Sequence, residues 1–209
     1  MLKHISIIAI FLSISVPVIA QEQAFNIELT PFGAYSVGGE FEEKSSGLSI
    51  ELDESESYGF IFNARHSPVT QWEIFYSRQE TSADASGLGL SDPAPELTVE
   101  YLQAGGTYMW DGEHVRPFLA ATLGGTKVDI NTAGFDSDTF WSGSLGLGLQ
   151  ISPNSRLGLR LEARGFGTLL DSSSDLWCQF GPTNNVCAVR IDGTIMWQVQ
   201  ALAGIVFRF

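Results

Sequence analysis

The residues able to do chemistry are few, and their spacing narrows them further. Histidine occurs at His4, His66 and His114. His66-Ser67 sets an imidazole beside a hydroxyl, but hydrolysis needs a base within hydrogen-bond reach of its nucleophile and an acid to orient it. Next-door neighbours rarely face each other productively, so no catalytic residue is assigned and the chain does not read as an enzyme. Glu40, Glu42, Glu43, Glu51, Asp53, Glu54 and Glu56 crowd one stretch with only Lys44 against them. Carboxylates at that density suit Ca²⁺, yet the twelve-residue loop with its central Gly is missing. A charge run of this kind is ordinarily a solvated, self-repelling surface. No metal ligand and no cofactor are assigned. Cys178 and Cys187 lack a neighbouring His and zinc-type spacing. In an exported chain an even cysteine count points to one disulfide.

The elements that position these residues begin after an address segment. Met1–Ala20 has a short positive start (Lys3, His4), an apolar run from Ile5 to Val18, and small residues at Val18 and Ala20 ahead of Gln21. That is the layout of a secretory signal peptide. Its apolar run is shorter than the ~20 residues of a spanning helix and is interrupted by Ser6, Ser13, Ser15 and Pro17. Residues 21–209 then form one domain. Without Lys3 they carry 10 basic and 24 acidic residues, a net −14. A balance so acidic argues against nucleic acid as a partner, since phosphate binding draws on Lys and Arg. At 44% hydrophobic and 17% charged, the chain is also too apolar for disorder. Three lysines in all is a shortage for a water-facing surface.

Beyond residue 20 the dominant period is two, the mark of strands with one apolar face. From Ile195 the odd positions read Ile195, Trp197, Val199, Ala201, Ala203, Ile205, Phe207 and Phe209, while Gln198, Gln200 and Arg208 fall between them. Trp141, Leu145, Leu147, Leu149 and Ile151 alternate with Ser142, Ser144, Gly146, Gly148 and Gln150. Leu157, Leu159, Leu161 and Ala163 oppose Arg160, Glu162 and Arg164. The pattern predicts eight strands, near 25–39, 55–65, 71–80, 97–110, 115–128, 139–152, 156–168 and 191–209. Connections alternate between short, at His66–Thr70, Asp111–His114 and Ser152–Ser155, and long, near 40–54, 81–96, 129–138 and 169–190. Pro31 falls inside the first strand, where a missing N–H predicts a β-bulge and a possible shift of face.

Short–long alternation around an even number of antiparallel strands is the layout of an all-β, up-and-down transmembrane barrel, with short periplasmic turns and long extracellular loops. A soluble eight-stranded barrel alternates in the same way with its apolar face inward. Three features select lipid outside. The polar face is rich in Gly, Ser and Gln and poor in Lys. The apolar face carries aromatics at two heights, Tyr35, Tyr58, Tyr76, Trp141 and Trp197 near one rim and Phe25, Trp72, Tyr108, Phe207 and Phe209 near the other. The last strand stops on Phe209 with no polar tail.

On these residues the chain resembles the small eight-stranded bacterial outer-membrane barrels, such as the outer-membrane protein A transmembrane domain and the opacity-type adhesins. Ile205-Val206-Phe207-Arg208-Phe209 looks like the terminal signal read by the barrel-assembly machinery, with Ile205, Phe207 and Phe209 as its apolar positions. Arg116-Pro117-Phe118-Leu119-Ala120-Ala121 is similar to the family's Arg/Lys-Pro-Tyr-x-Gly-x-Gly strand, with Phe and Ala in place of Tyr and Gly. Ser144–Ile151 followed by Leu157–Gly165 resembles its sixth-to-seventh hairpin. The resemblance implies a Gram-negative outer membrane, with lipid and lipopolysaccharide as surroundings, the assembly machinery as a partner during biogenesis, and a monomer. It names no extracellular partner.

An eight-stranded barrel has a bore just wide enough for side chains. Parity sends Glu28, Glu73, Arg160, Glu162 and Arg164 inward, where unpaired charge is costly, so a paired internal plug is expected rather than a gated pore. All four long connections carry more acid than base. The expected function is structural, or surface interaction through acidic loops. The alternative is a narrow passive channel for small or apolar solutes.

Overall fold

A computed structural model describes residues 26–42, 49–84, 96–130, 137–170, 178–180, 185–187 and 195–209. The signal-peptide segment and Phe25 lie outside them. The strands are β1 Ile27–Gly38, β2 Glu40–Glu42, β3 Ser49–Leu52, β4 Ser55–Arg65, β5 Thr70–Asp84, β6 Glu96–Met109, β7 Val115–Ile130, β8 Asp138–Ile151, β9 Leu157–Leu169, β10 Cys178–Phe180, β11 Asn185–Cys187 and β12 Ile195–Arg208.

Eight of them close a ring in the order β1-β4-β5-β6-β7-β8-β9-β12, and β12 pairs back onto β1. Every neighbour is antiparallel. The register fixes the barrel's shape. Paired residues followed around the wall run Ile27, Ala64, Trp72, Gly106, Ala121, Leu145, Gly165, Val199 and return to β1 at Val37, ten residues above the start. With ~3.3 Å per residue and ~4.7 Å between strands, that stagger gives a tilt of about 40°. The bore is then filled by side chains.

Alternation is carried through to burial. β12 reads exposed–buried without a break from Ile195 to Arg208, because Met196, Gln198, Gln200, Leu202, Val206 and Arg208 point inward. The short turns at 66–69, 110–114 and 152–156 share one end with both chain-terminal strand ends, where the Asn26 and Ile27 amides donate to the Phe209 carbonyl. Ser152 takes a left-handed φ of 55° to begin the β8–β9 turn.

Two expectations need amendment. Pro31 makes no bulge. Its register with β4 is unbroken (Pro31 opposite Phe60), and the β1–β12 ladder lacks rungs only at Thr30 and Pro31, with the same register on either side of the gap. The missing N–H is absorbed as lost ladder bonding to β12 rather than as an extra residue, so inward and outward faces never exchange. The long connections also hold strand structure. β2 pairs β3, β3 extends from β5 through Glu51–Asp84 and Leu52–Ala83, and β10 pairs β11.

Candidate functional site

The lumen is where the chain concentrates its polar chemistry, and β5 and β9 supply most of it. On β9 a spacing of two puts Arg160, Glu162 and Arg164 on one inward row. Glu73 reaches them from β5 across the bore. Glu73 Oε2 lies 2.9 Å from Arg160 Nη2, and Glu73 Oε1 2.6 Å from Arg164 Nη2. Glu162 bridges the same guanidiniums, at 2.8 Å to Arg160 and 2.6 Å to Arg164. Two carboxylates and two guanidiniums thus form a closed, neutral ring, with all four side chains fully buried. Thr107 Oγ1 and Asn63 Nδ2 donate to Glu73 Oε2 at 2.6 and 3.2 Å, and Arg160 Nη1 donates to Asn63 Oδ1 at 3.2 Å. Those bonds occupy the lone pairs and protons that the ring leaves over, the condition under which buried charge is tolerated.

Glu28 stands apart from this ring, nearer the short-turn end. Arg208 Nε donates to Glu28 Oε1 at 2.9 Å and Gln150 Nε2 donates to Glu28 Oε2 at 2.9 Å. Arg208 Nη1 also donates to the carbonyls of Ser152 and Ser155 at 3.0 and 2.7 Å. Glu28 and Arg208 are direct cross-strand partners, so the pair joins the first and last barrel strands and ties them to the β8–β9 turn.

Above the ring the bore is closed by aromatics. Phe32, Phe75, Phe166 and Tyr101 pack in sequence with ring centroids 5.5, 5.6 and 4.2 Å apart, the outer two pairs stacked and Phe75–Phe166 tilted at 46°. The Arg164 guanidinium lies 4.2 Å from the Phe75 centroid, and Arg160 lies 4.2 Å from that of Phe118. Each arginine therefore meets carboxylates at its edge and a ring at its face, a geometry lysine cannot reproduce. Higher still, Gln200 Nε2 donates to the hydroxyls of Ser36, Ser57 and Ser77, and Tyr101 Oη, Gln198 and Gln79 run in a chain to Ser55. Leu52, Leu97, Val99, Val128, Phe140 and Leu170 fill the mouth at the long-loop end.

The arrangement fixes two buried carboxylates against two buried guanidiniums. His66 packs its ring 5.6 Å from that of Trp72 in the β4–β5 turn, and His114 sits in the β6–β7 turn, so neither meets the buried carboxylates. Among the described residues no group of three or more His, Cys, Asp or Glu is placed to hold a metal ion.

The five interior charges expected from sequence divide into a ring of four and the separate Glu28, and Arg208 joins them as a sixth. The reading from sequence did not assign Arg208 to Glu28, nor did it place aromatics in the bore. Both signals were present in parity: Arg208 shares the face of Gln198 and Gln200, and Phe75 and Phe166 each lie two residues beyond a charged inward position.

On the outer wall Tyr35, Tyr58, Trp72, Tyr108, Trp141 and Trp197 are exposed and Tyr76 is half-buried against Phe60. Phe60 and Trp110 are further outward aromatics. Ile205, Phe207 and Phe209 point outward along the end of β12. Cys178 and Cys187 stand directly opposite each other on β10 and β11.

A closed antiparallel ring with an apolar exterior and a polar, packed interior defines a transmembrane β-barrel. Over residues 6–192 the sequence matches the outer membrane protein beta-barrel domain, and the chain belongs to that family. Solved structures agree on the fold. Neisserial surface protein A superposes with a TM-score of 0.61 at 14% identity, covering 88% of this chain and 97% of that one. The outer membrane protein OprG from Pseudomonas aeruginosa gives 0.55 at 14% identity, covering 89% and 96%. Outer membrane protein AlkL in lipid bilayers gives 0.50 at 13% identity, covering 88% and 90%. No curated protein sequence matches the chain.

Proposed function

We propose that the protein is a non-conducting, non-enzymatic scaffold of a Gram-negative outer membrane, exported on a leader of residues 1–20 and presenting acidic loops at the cell surface. The observation that carries this reading is the side-chain packing of the lumen. A neutral ion-pair ring, an aromatic stack and an apolar cap follow one another along the bore. A passive channel would need a continuous water path past all three layers, and opening one would part the ring's ion pairs, the aromatic layer and the apolar cap.

With the lumen closed, function passes to the loops that a rigid frame displays. Around the upper rim Glu54 accepts a hydrogen bond from Tyr35 at 3.1 Å and Glu100 from Tyr76 at 2.8 Å, so acidic residues sit just above the tyrosine belt. The Cys178–Cys187 disulfide belongs to the same reading. Opposed residues of an antiparallel pair have Cα atoms ~4.5–5.5 Å apart, within disulfide reach. Closing so short a loop stabilises it by about 2–3 kcal/mol in the chain-entropy picture. Ile205, Phe207 and Phe209 are offered outward for the assembly machinery.

Planar-bilayer recording tests the proposal. The purified barrel is expected to give no stable conductance steps. Defined steps in the wild type that vanish in Arg164→Ala would replace the scaffold with the narrow channel.

A further inference from the structure

The seam between β1 and β12 carries a feature that ring closure does not need. The Phe209 amide donates to the Ile27 carbonyl at 2.9 Å, and the Ile27 amide donates back to the Phe209 carbonyl at 3.4 Å. In an antiparallel pair such mutual bonding recurs at every second residue. Leu29–Phe207, Pro31–Ile205 and Gly33–Ala203 are therefore the next positions at which the two strands exchange bonds. Proline falls on one of them. Thr30 and Pro31 form no rung with β12, although Leu29 pairs with Phe207 below and Phe32 with Gly204 above. The bond lost is the one that Pro31 cannot donate to the Ile205 carbonyl. Both residues point outward, so that carbonyl lies in the apolar wall, where no water replaces the missing donor. On the inner side of the same gap the Thr30 hydroxyl is buried without a hydrogen-bond partner.

The gap divides the seam unequally. Above it seven rungs run from Phe32 to Gly38. Below it stand only Glu28–Arg208, Leu29–Phe207 and the bonds between Ile27 and Phe209. The lower piece is held from inside by Arg208 Nε and Glu28 Oε1, 2.9 Å apart and buried. Away from the seam each strand end has its own anchor. The Arg208 amide donates to the Arg156 carbonyl at 2.9 Å, and the Arg65 amide to the Asn26 carbonyl at 2.8 Å. Ile27 and Glu28 keep register with β4, and Phe207 keeps register with β9. The two edges can part without either leaving its other neighbour.

We propose that the lower seam is a latch in the folded barrel. Ile27–Leu29 and Phe207–Phe209 separate as one unit below Pro31, and the Glu28–Arg208 ion pair is the lock. When open, it admits water from the short-turn end to the floor around Glu28. The ring of four charges is held by β5 and β9, so it stays intact.

Residue-resolved amide hydrogen exchange, read by NMR on the full barrel in detergent micelles, tests the latch. The alternation of bonding supplies an internal control. The Leu29 and Phe207 amides bond across the seam, whereas the Arg208 amide bonds away from it. Leu29 and Phe207 are expected to exchange at least tenfold faster than Arg208, and than Gly33 and Ala203 beyond the gap. Pro31→Val returns the missing donor and should slow Leu29 and Phe207 at least fivefold. Glu28→Gln should speed them at least fivefold and leave Gly33 and Ala203 unchanged. Slower migration after boiling verifies that each variant is folded, and Glu28→Gln adds no bulk should Pro31→Val misfold. Equal exchange at Phe207 and Arg208 would mean that the strand end merely frays, and would overturn the latch. So would Leu29 exchanging as slowly as Gly33, or unchanged exchange at Leu29 and Phe207 in the folded variants. None of these results bears on whether the lumen conducts, so the scaffold reading stands or falls separately.

Discussion

Arg164 shows how little freedom the lumen leaves a single residue. It pairs with Glu73 and Glu162, faces the Phe75 ring, and lies 3.4 Å from the hydroxyls of Thr122 and Ser144. Removing one member of a buried pair strands its partners, a loss of about 3–5 kcal/mol. Arg164→Met is therefore expected to lower the stability of the detergent-folded barrel by that amount, read from the denaturant midpoint. Replacing Glu73, Glu162, Arg160 and Arg164 together with apolar residues should cost far less than the single change, because no uncompensated charge remains. A quadruple variant weaker than the single would contradict the closed ring. Gly146 makes the same point sterically. A Cβ there would press into the Glu162 carboxylate and near Arg164 Nε, so Gly146→Val should disturb the ring without touching a charge.

At the level of the strand, side-chain direction carries the account. Leu147 is outward on β8, one position from the inward Gly146 and Gly148. Leu147→Arg is expected to cost ~2–4 kcal/mol of folding stability in lipid vesicles, the penalty for a cation on the lipid face near mid-membrane. A neutral effect would mean that the face is wet. Period two made the eight strands legible from sequence, because each needed only one apolar side against lipid. It also placed Glu73 and Arg164 inward. It did not say which interior residues meet, since the ring joins β5 to β9 across the bore and that depends on stagger. Aromatics inside went unread for a different reason. Phe75 and Phe166 look like lipid-facing residues by type, and only their parity with Glu73 and Arg164 marks them as interior. Pro31 misled in the other direction, because a strand can forgo bonds to one neighbour while its register to both persists.

For the whole molecule, closure and sealing have separate causes. Closure comes from β1 and β12, whose seam has a gap at Thr30 and Pro31 and an ion pair at Glu28 and Arg208. Glu28→Ala should leave Arg208 partly unpaired beneath the wall and speed unfolding of the seam, seen as a lower temperature for loss of the compact form on gels. Sealing comes from layers that span the bore, so the same variant is expected to leave conductance at zero. The measurement that most directly tests a polar interior within a lipid-facing wall is fractionation of cells expressing the full chain, followed by electrophoresis with and without boiling. Recovery in the outer membrane with slower migration after boiling is the predicted result. Recovery as a soluble periplasmic protein would contradict it, since the residues assigned to lipid, from Trp72 to Trp197, would then have to be covered by something other than a bilayer.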